Sequence, residues 1–128
     1  MAVQELTAAT FEQVVADNNL VLVDFWATWC GPCRSFAPVF DKASDEHSDI
    51  VFGKVDIDEN ASLAGAAGIS SVPTLMAFKE GVLVYSEAGA LGGAALQDFI
   101  SQLRDLDMEH VRSHLEHHEE DREVSERH

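Results

Sequence analysis

The 128-residue sequence has few basic residues, few cysteines and no long apolar run. Eight lysines and arginines stand against 23 aspartates and glutamates, which gives a formal net charge of −15. A basic patch for nucleic acid or for an anionic membrane is therefore not expected. No apolar run is long enough to cross a bilayer, and the first residues do not resemble a secretory signal peptide. We therefore expect a cytoplasmic protein that binds neither nucleic acid nor membrane.

Length and charge distribution predict one domain followed by a charged extension. A chain of 128 residues can close a single core, and an apolar share of 46% is ordinary for a globular protein. Residues 105–128 contain nine acidic and three basic side chains, compared with fourteen and five in residues 1–104. We expect a domain over residues 1–106 and an acidic, histidine-rich extension over residues 107–128 that is helical or disordered.

The only two cysteines, Cys30 and Cys33, are separated by Gly31 and Pro32. With two residues between them and a helix starting beneath, both sulfurs can come within bonding distance. A zinc site would need a second cysteine pair, and a static bridge across so short a loop would stabilise the fold least. The free N–H groups and the dipole of the helix N-terminus favour a thiolate at Cys30. We therefore predict a redox-active dithiol that exchanges two electrons with a partner disulfide.

The hydrophobic pattern predicts the element order β-α-β-α-β-α-β-β-α, which indicates a sheet with helices on both faces. Leu20–Ala27 is almost entirely apolar, as in a strand buried on both faces. Thr10 and Gln13 predict a capping box at the first helix. Pro38 predicts a kink in the second helix, and Glu80–Gly81 predicts a tight hairpin turn.

A second candidate site residue, Asp24, interrupts the buried strand before the cysteines. Burial raises the pKa of a carboxyl group, so Asp24 could accept a proton from the dithiol, with Lys54 of the next strand within reach. The alternative is a solvent-exposed aspartate at the strand end. Pro73 begins a later strand and could be cis or trans, and Val72 before it could offer backbone groups to an extended peptide. Trp29 is expected on the surface near a partner.

Taken together, these segments resemble the thioredoxin family over about residues 3–106. The active-site region, Val21 to Arg34 followed by Ala37 and Pro38, carries the sequence Trp-Cys-Gly-Pro-Cys. Four further landmarks occur in the family's order: Val55–Asn60, Gly68–Thr74, Phe78–Gly81 and Gly89–Leu91.

The resemblance implies an α/β thioredoxin fold, with a central mixed β-sheet flanked by helices. It implies that Cys30 is the attacking thiolate and that Cys33 is the resolving thiol. It further implies that Asp24 is a buried acid beside Lys54 that helps to deprotonate Cys33. Substrate contacts are expected at Trp29, Gly31, Pro32, Val72, Pro73 (as a cis-proline facing the dithiol) and Gly89.

The resemblance also implies a protein-disulfide reductase that acts on disulfide-containing proteins. A flavin-containing thioredoxin reductase using NADPH would return the pair to the dithiol state. NADPH would thus act only indirectly, and we assign neither a cofactor nor a metal to the chain itself.

Three alternatives remain open from the sequence. The fold could be a non-catalytic or chaperone-like binding module that acts through the extension, or the pair could act as an oxidant. The extension could also respond to metal, because its histidines recur at three- and four-residue steps. These histidines are His110, His114, His117 and His118. A solvated, charged extension of the last helix is the interpretation that we favour.

Overall fold

A computed structural model describes residues 2–115 of the chain. The element order is the one that the hydrophobic pattern predicts. The elements are β1 (Val3–Glu5), α1 (Phe11–Asp17), β2 (Leu20–Trp26), α2 (Gly31–Glu46), β3 (Val51–Asp56), α3 (Ala61–Ala66), β4 (Thr74–Lys79), β5 (Val82–Ala88) and α4 (Gly93–Asp105). Residues 108–115 form a further helical segment, called here the C-terminal helix.

The five strands form one mixed sheet in the order β1-β3-β2-β4-β5. Strand β2 is central: it runs parallel to β3 on one side and antiparallel to β4 on the other. All but the last of its residues are buried, which explains its nearly continuous apolar sequence. The mixed sheet that the family resemblance implies is therefore present.

Helices cover both faces of the sheet, so the core has two layers. On one face α2 and α4 pack over the strands, and on the other α1 and α3 do. The first layer includes Leu22, Phe36, Phe40, Phe52, Leu75, Leu96 and Ile100. The second layer includes Val21, Val23, Phe25, Val55 and Met76. The alternation along β2 sends odd-numbered and even-numbered side chains to opposite layers.

The local turn predictions have mixed outcomes. Glu80 and Gly81 both have positive φ angles, 53° and 79°, as the predicted tight hairpin turn requires. The capping box at α1 is wrong. Thr10 occupies the N-cap position, but its Oγ1 accepts the Thr7 N–H at 3.0 Å, and Gln13 donates to Asp17 instead. The turn before the helix therefore uses the hydroxyl that the capping box would need.

Helix α2 begins at the cysteine pair and continues through Pro38 as a single element. Its buried residues on the sheet side include Phe36, Phe40 and Ala43, as the apolar spacing predicts. Because α2 starts at Gly31, shortly after β2 ends at Trp26, the first turn of the helix lies near the end of that strand. Within residues 2–115, no helix has the length and apolarity to cross a membrane.

Candidate active site

The cysteine pair lies where the chain leaves β2 and enters α2. Cys30 and Cys33 are joined by a disulfide, with Cα atoms 5.3 Å apart. Both residues are buried, with 4% and 3% of their surface exposed. They pack with Ala27, Trp26 and Val72 in a small cluster apart from the two core layers. The disulfide therefore lies beyond the carboxyl end of the central strand β2 rather than inside the main core.

The helix start surrounds the Cys30 sulfur with positive potential. Cys30 is the N-cap residue of α2, and its Sγ accepts the Cys33 N–H at 3.1 Å. In the reduced protein the same N–H and the helix dipole would stabilise a negative charge on this sulfur, which lowers the pKa of a thiol. The Val72 carbonyl oxygen lies 3.6 Å from the same sulfur. Of these neighbours, the Cys33 N–H and the helix start favour a thiolate at Cys30.

A second chain segment reaches the disulfide from the start of β4. The Val72–Pro73 peptide bond is cis, which the sequence left open and the family resemblance implies. The Gly89 N–H donates to the Pro73 carbonyl at 2.8 Å, so the end of β5 lies beside this segment. Gly89 has φ of 113°, a conformation that favours glycine. The fold thus brings together residues that lie some forty to sixty positions apart in sequence.

Asp24 is buried in the middle of β2 and is not the exposed strand-end residue of the alternative interpretation. Only 4% of its surface is exposed, and its Oδ1 has no hydrogen-bond partner among residues 2–115. Burial raises the pKa of Asp24 from its ordinary value of 3.8 to about 7; the positive charge of Lys54 opposes this rise and the charge of Asp41 adds to it. The carboxyl group can therefore gain and lose a proton near neutral pH.

Lys54 is the strand neighbour of Asp24. The two residues are register partners on the parallel strands β2 and β3. The Lys54 Nζ lies 5.2 Å from the ring centroid of Trp26, so this indole shares the ammonium group with the carboxyl. Lys54 itself is half-buried.

The remaining predicted contact residues lie on the surface around the pair. Trp29 is 64% exposed, and Gly31 and Pro32 are exposed in the first turn of α2. The Trp29 indole N–H donates to Asp58 Oδ2 at 3.0 Å, a contact that the sequence analysis did not predict. Asp58 lies two residues after the end of β3, and the carboxyl ends of parallel strands meet at one edge of a sheet. That rule, applied to β2 and β3, could have identified the pair.

The arrangement suits thiol–disulfide exchange. It provides a disulfide at a helix N-terminus, a buried acid that titrates near neutrality and an exposed aromatic side chain beside the sulfurs. Among residues 2–115, no group of three or more histidine, cysteine or acidic side chains could together hold a metal ion. The chemistry that these residues support needs only the two sulfurs and a proton acceptor.

Comparison with known proteins gives the same result over most of the chain. Residues 2–102 match the model of the thioredoxin family. "Putative thioredoxin 2" of Streptomyces coelicolor is 56% identical over 108 residues, covering 84% of this chain and 81% of that protein. "Thioredoxin 1" of Synechococcus elongatus is 48% identical over 99 residues, covering 76% and 92%.

Solved structures agree with these relatives. A mutant thioredoxin from Halobacterium salinarum superposes with a TM-score of 0.73 at 38% identity, covering 78% of this chain and 88% of that one. The thioredoxin of Malassezia sympodialis gives a TM-score of 0.71 at 40% identity, covering 80% and 93%. Since the matched family model includes both cysteines and the whole sheet, the chain belongs to the thioredoxin family.

Proposed function

We propose that this thioredoxin-family protein-disulfide oxidoreductase works as a reductase, with Cys30 as the attacking thiolate and Cys33 as the resolving thiol. The Cys30 thiolate attacks one sulfur of a partner disulfide, and the other partner sulfur leaves as a thiolate that takes up a proton. The Cys33 thiolate then attacks the Cys30 sulfur and releases the second partner thiol. The partner gains two electrons, and the Cys30–Cys33 disulfide forms. The observation that carries this proposal is the Cys30 sulfur at the N-cap of α2, bonded to the Cys33 N–H.

Asp24 is proposed as the proton acceptor for Cys33. A general base works best when its pKa lies near the working pH, and burial brings the pKa of Asp24 to about 7. Lys54 is proposed to adjust this value, because its positive charge favours the ionised carboxylate. The pair on β2 and β3 would thus determine the pH at which Cys33 is deprotonated.

The proposed substrate surface surrounds the disulfide. Val72 precedes the cis peptide bond, and its carbonyl lies beside the Cys30 sulfur, so its backbone could pair with an extended partner segment. Trp29 would provide exposed apolar area on a fixed support, because Asp58 holds its indole. The full proposed set is Trp29, Gly31, Pro32, Val72, Pro73 and Gly89.

The partners are proposed to be disulfide-containing proteins and a thioredoxin reductase. The reductase would return the oxidised pair to the dithiol, using NADPH bound to itself and not to this chain. We propose the cytoplasm as the site of action, because a disulfide formed by the only two cysteines of a chain is more often catalytic than structural in a reducing compartment.

We propose residues 1–106 as the catalytic domain and residues 107–128 as an extension of it. The family model ends at residue 102, close to the end of α4 at Asp105. The first part of the extension folds back as the C-terminal helix, with Met108 buried. Residues 116–128 lie outside the described part of the chain.

Reduction of insulin disulfides by dithiothreitol tests the proposal. The wild-type chain should accelerate the reaction, and Cys30→Ser should abolish the acceleration because no mixed disulfide can form at that sulfur. Ser35→Ala, on an exposed position of the same helix, is the matched control and should keep full activity. Wild-type rates in Cys30→Ser would contradict the mechanism, and absence of acceleration by the wild-type chain would favour the non-catalytic binding module.

A further inference from the structure

The C-terminal helix is held in a fixed position on the domain. Asp107 Oδ1 accepts the N–H groups of Glu109 and His110, at 3.1 and 3.3 Å, and so caps the first turn. Met108 is 93% buried by the rest of the chain, since 7% of its surface is exposed. The helix therefore starts at a defined point instead of trailing from α4.

Two basic residues fix this helix against the β4–β5 hairpin. Arg112 Nη2 pairs with Glu80 Oε1 at 3.3 Å. Lys79, next to Glu80, donates from Nζ to the carbonyls of Leu103, Arg104 and Leu106, at 2.8, 2.8 and 3.0 Å. These contacts join the hairpin both to the helix and to the segment that leads into it.

His110 and His114 are four residues apart on this helix, and both are exposed. Residues at this spacing lie on one helical face, one turn apart. Both side chains line the same open cavity of about 350 Å³, whose other lining residues are apolar and come from β5, from Leu106 after α4 and from the helix itself. The two imidazoles therefore face a common space above a support that is already ordered.

We propose that His110 and His114 bind one divalent transition-metal ion, of the Zn²⁺ or Ni²⁺ class. Two histidines at this spacing on a helix are a recognised zinc-binding pair, and imidazole nitrogen suits both metals. No third protein ligand joins them within residues 2–115, so water would complete the coordination and the ion would exchange readily. The strongly negative chain favours a cation, and Arg112, between the two histidines, is already paired with Glu80. This ion would take no part in disulfide exchange.

Isothermal titration of the full-length, oxidised protein with NiCl₂ or ZnCl₂ tests the proposal. The oxidised form is used because the free dithiol would itself bind metal. The double variant His110→Ala/His114→Ala should bind at least about tenfold more weakly, because it removes both ligands. The matched control, Ser101→Ala/Ser113→Ala, changes two exposed polar residues that offer no imidazole and should keep the wild-type affinity.

Hydrogen exchange provides a second readout that does not depend on the calorimetric signal. An ion bridging two residues one turn apart should slow amide exchange in residues 108–115 of the wild type, and should not do so in His110→Ala/His114→Ala. Circular dichroism of the variants checks that they fold. Absence of binding to the wild type, unchanged binding in His110→Ala/His114→Ala, or equal loss in both double variants would overturn the two-histidine site.

Discussion

Asp24 and Lys54 are register partners on the neighbouring parallel strands β2 and β3, and Asp24 is buried whereas Lys54 is half-buried. Burial raises the pKa of Asp24 to about 7, although the charge of Lys54 acts in the opposite direction. The desolvation of Asp24 therefore changes its pKa more than the attraction of Lys54 does. The reason is geometric: the Asp24 side chain is buried, whereas the Lys54 ammonium also lies 5.2 Å from the centroid of the Trp26 ring.

The raised pKa of Asp24 predicts that the free energy of unfolding falls as the pH rises. Between its ordinary value of 3.8 and about 7, the folded protein keeps a proton that the unfolded chain has lost. At 1.36 kcal/mol per pKa unit, the cost of ionising Asp24 reaches up to roughly 4 kcal/mol above the folded pKa. Asp24→Asn should therefore match the wild type near pH 4 and be more stable near pH 8.

Urea unfolding of both proteins over this pH range measures the effect. Asp105→Asn, at an exposed position of α4, is the control and should follow the wild-type curve. Parallel pH profiles for Asp24→Asn and the wild type would show that the buried carboxyl does not carry the cost assigned to it.

Replacement of the resolving thiol should trap partners. Cys33→Ser keeps the Cys30 sulfur at the helix N-terminus but removes the thiol that attacks it in the second step. The mixed disulfide with a model peptide disulfide should then persist, as mass spectrometry of the non-reduced sample would show. Cys30→Ser treated in the same way should form no stable adduct. Equal trapping by both variants would contradict the assignment of the attack to Cys30.

Lys79, which lies far from the cysteines in sequence, should contribute strongly to the free energy of unfolding. Its buried ammonium group satisfies three backbone carbonyls at the end of α4, where the helix dipole is negative. Lys79→Met keeps the aliphatic stem but leaves these carbonyls without their donor, which should cost about 2 kcal/mol. Urea unfolding measures the change.

Lys42→Met is the matched control for this prediction. Lys42 is exposed, and its ion pair with Glu46 is long at 4.0 Å, so its loss should change the unfolding free energy by less than about 0.5 kcal/mol. If Lys79→Met were as mild as Lys42→Met, the cap would have no energetic role.

Two glycines with equally free surroundings should respond in opposite directions to alanine. A Cβ atom would meet nothing within 4 Å at either Gly65 or Gly81. Gly81 has φ of 79°, so Gly81→Ala should lower the free energy of unfolding by about 1 kcal/mol. Gly65 lies within helix α3, where alanine is favoured by about 0.5–1 kcal/mol. Thermal unfolding of the two variants compares them, and a shift of the same sign in both would contradict the backbone argument.

The local pattern was enough to predict the elements and the reactive pair. Three patterns depend only on residues close together in the sequence. They are the apolar run of β2, the amphipathic spacing of α2 and α4, and the turn residues at Glu80–Gly81. The spacing of Cys30 and Cys33 similarly fixes that two sulfurs meet at a helix start. The capping box at Thr10 was wrong because the preceding turn uses the same hydroxyl, which accepts the Thr7 N–H.

The amino-acid sequence by itself determined the order of the elements, the position of the dithiol and the acidic character of the chain, since each depends on neighbouring residues or on composition. The tertiary structure alone decided that Asp24 is enclosed, that Asp58 holds Trp29 and that Lys79 caps α4. The contacts of Trp29 and Lys79 join residues 24 to 29 positions apart, and the burial of Asp24 depends on a helix covering a strand. Pairing of distant segments follows from the packing of the whole sheet, and no local pattern records it.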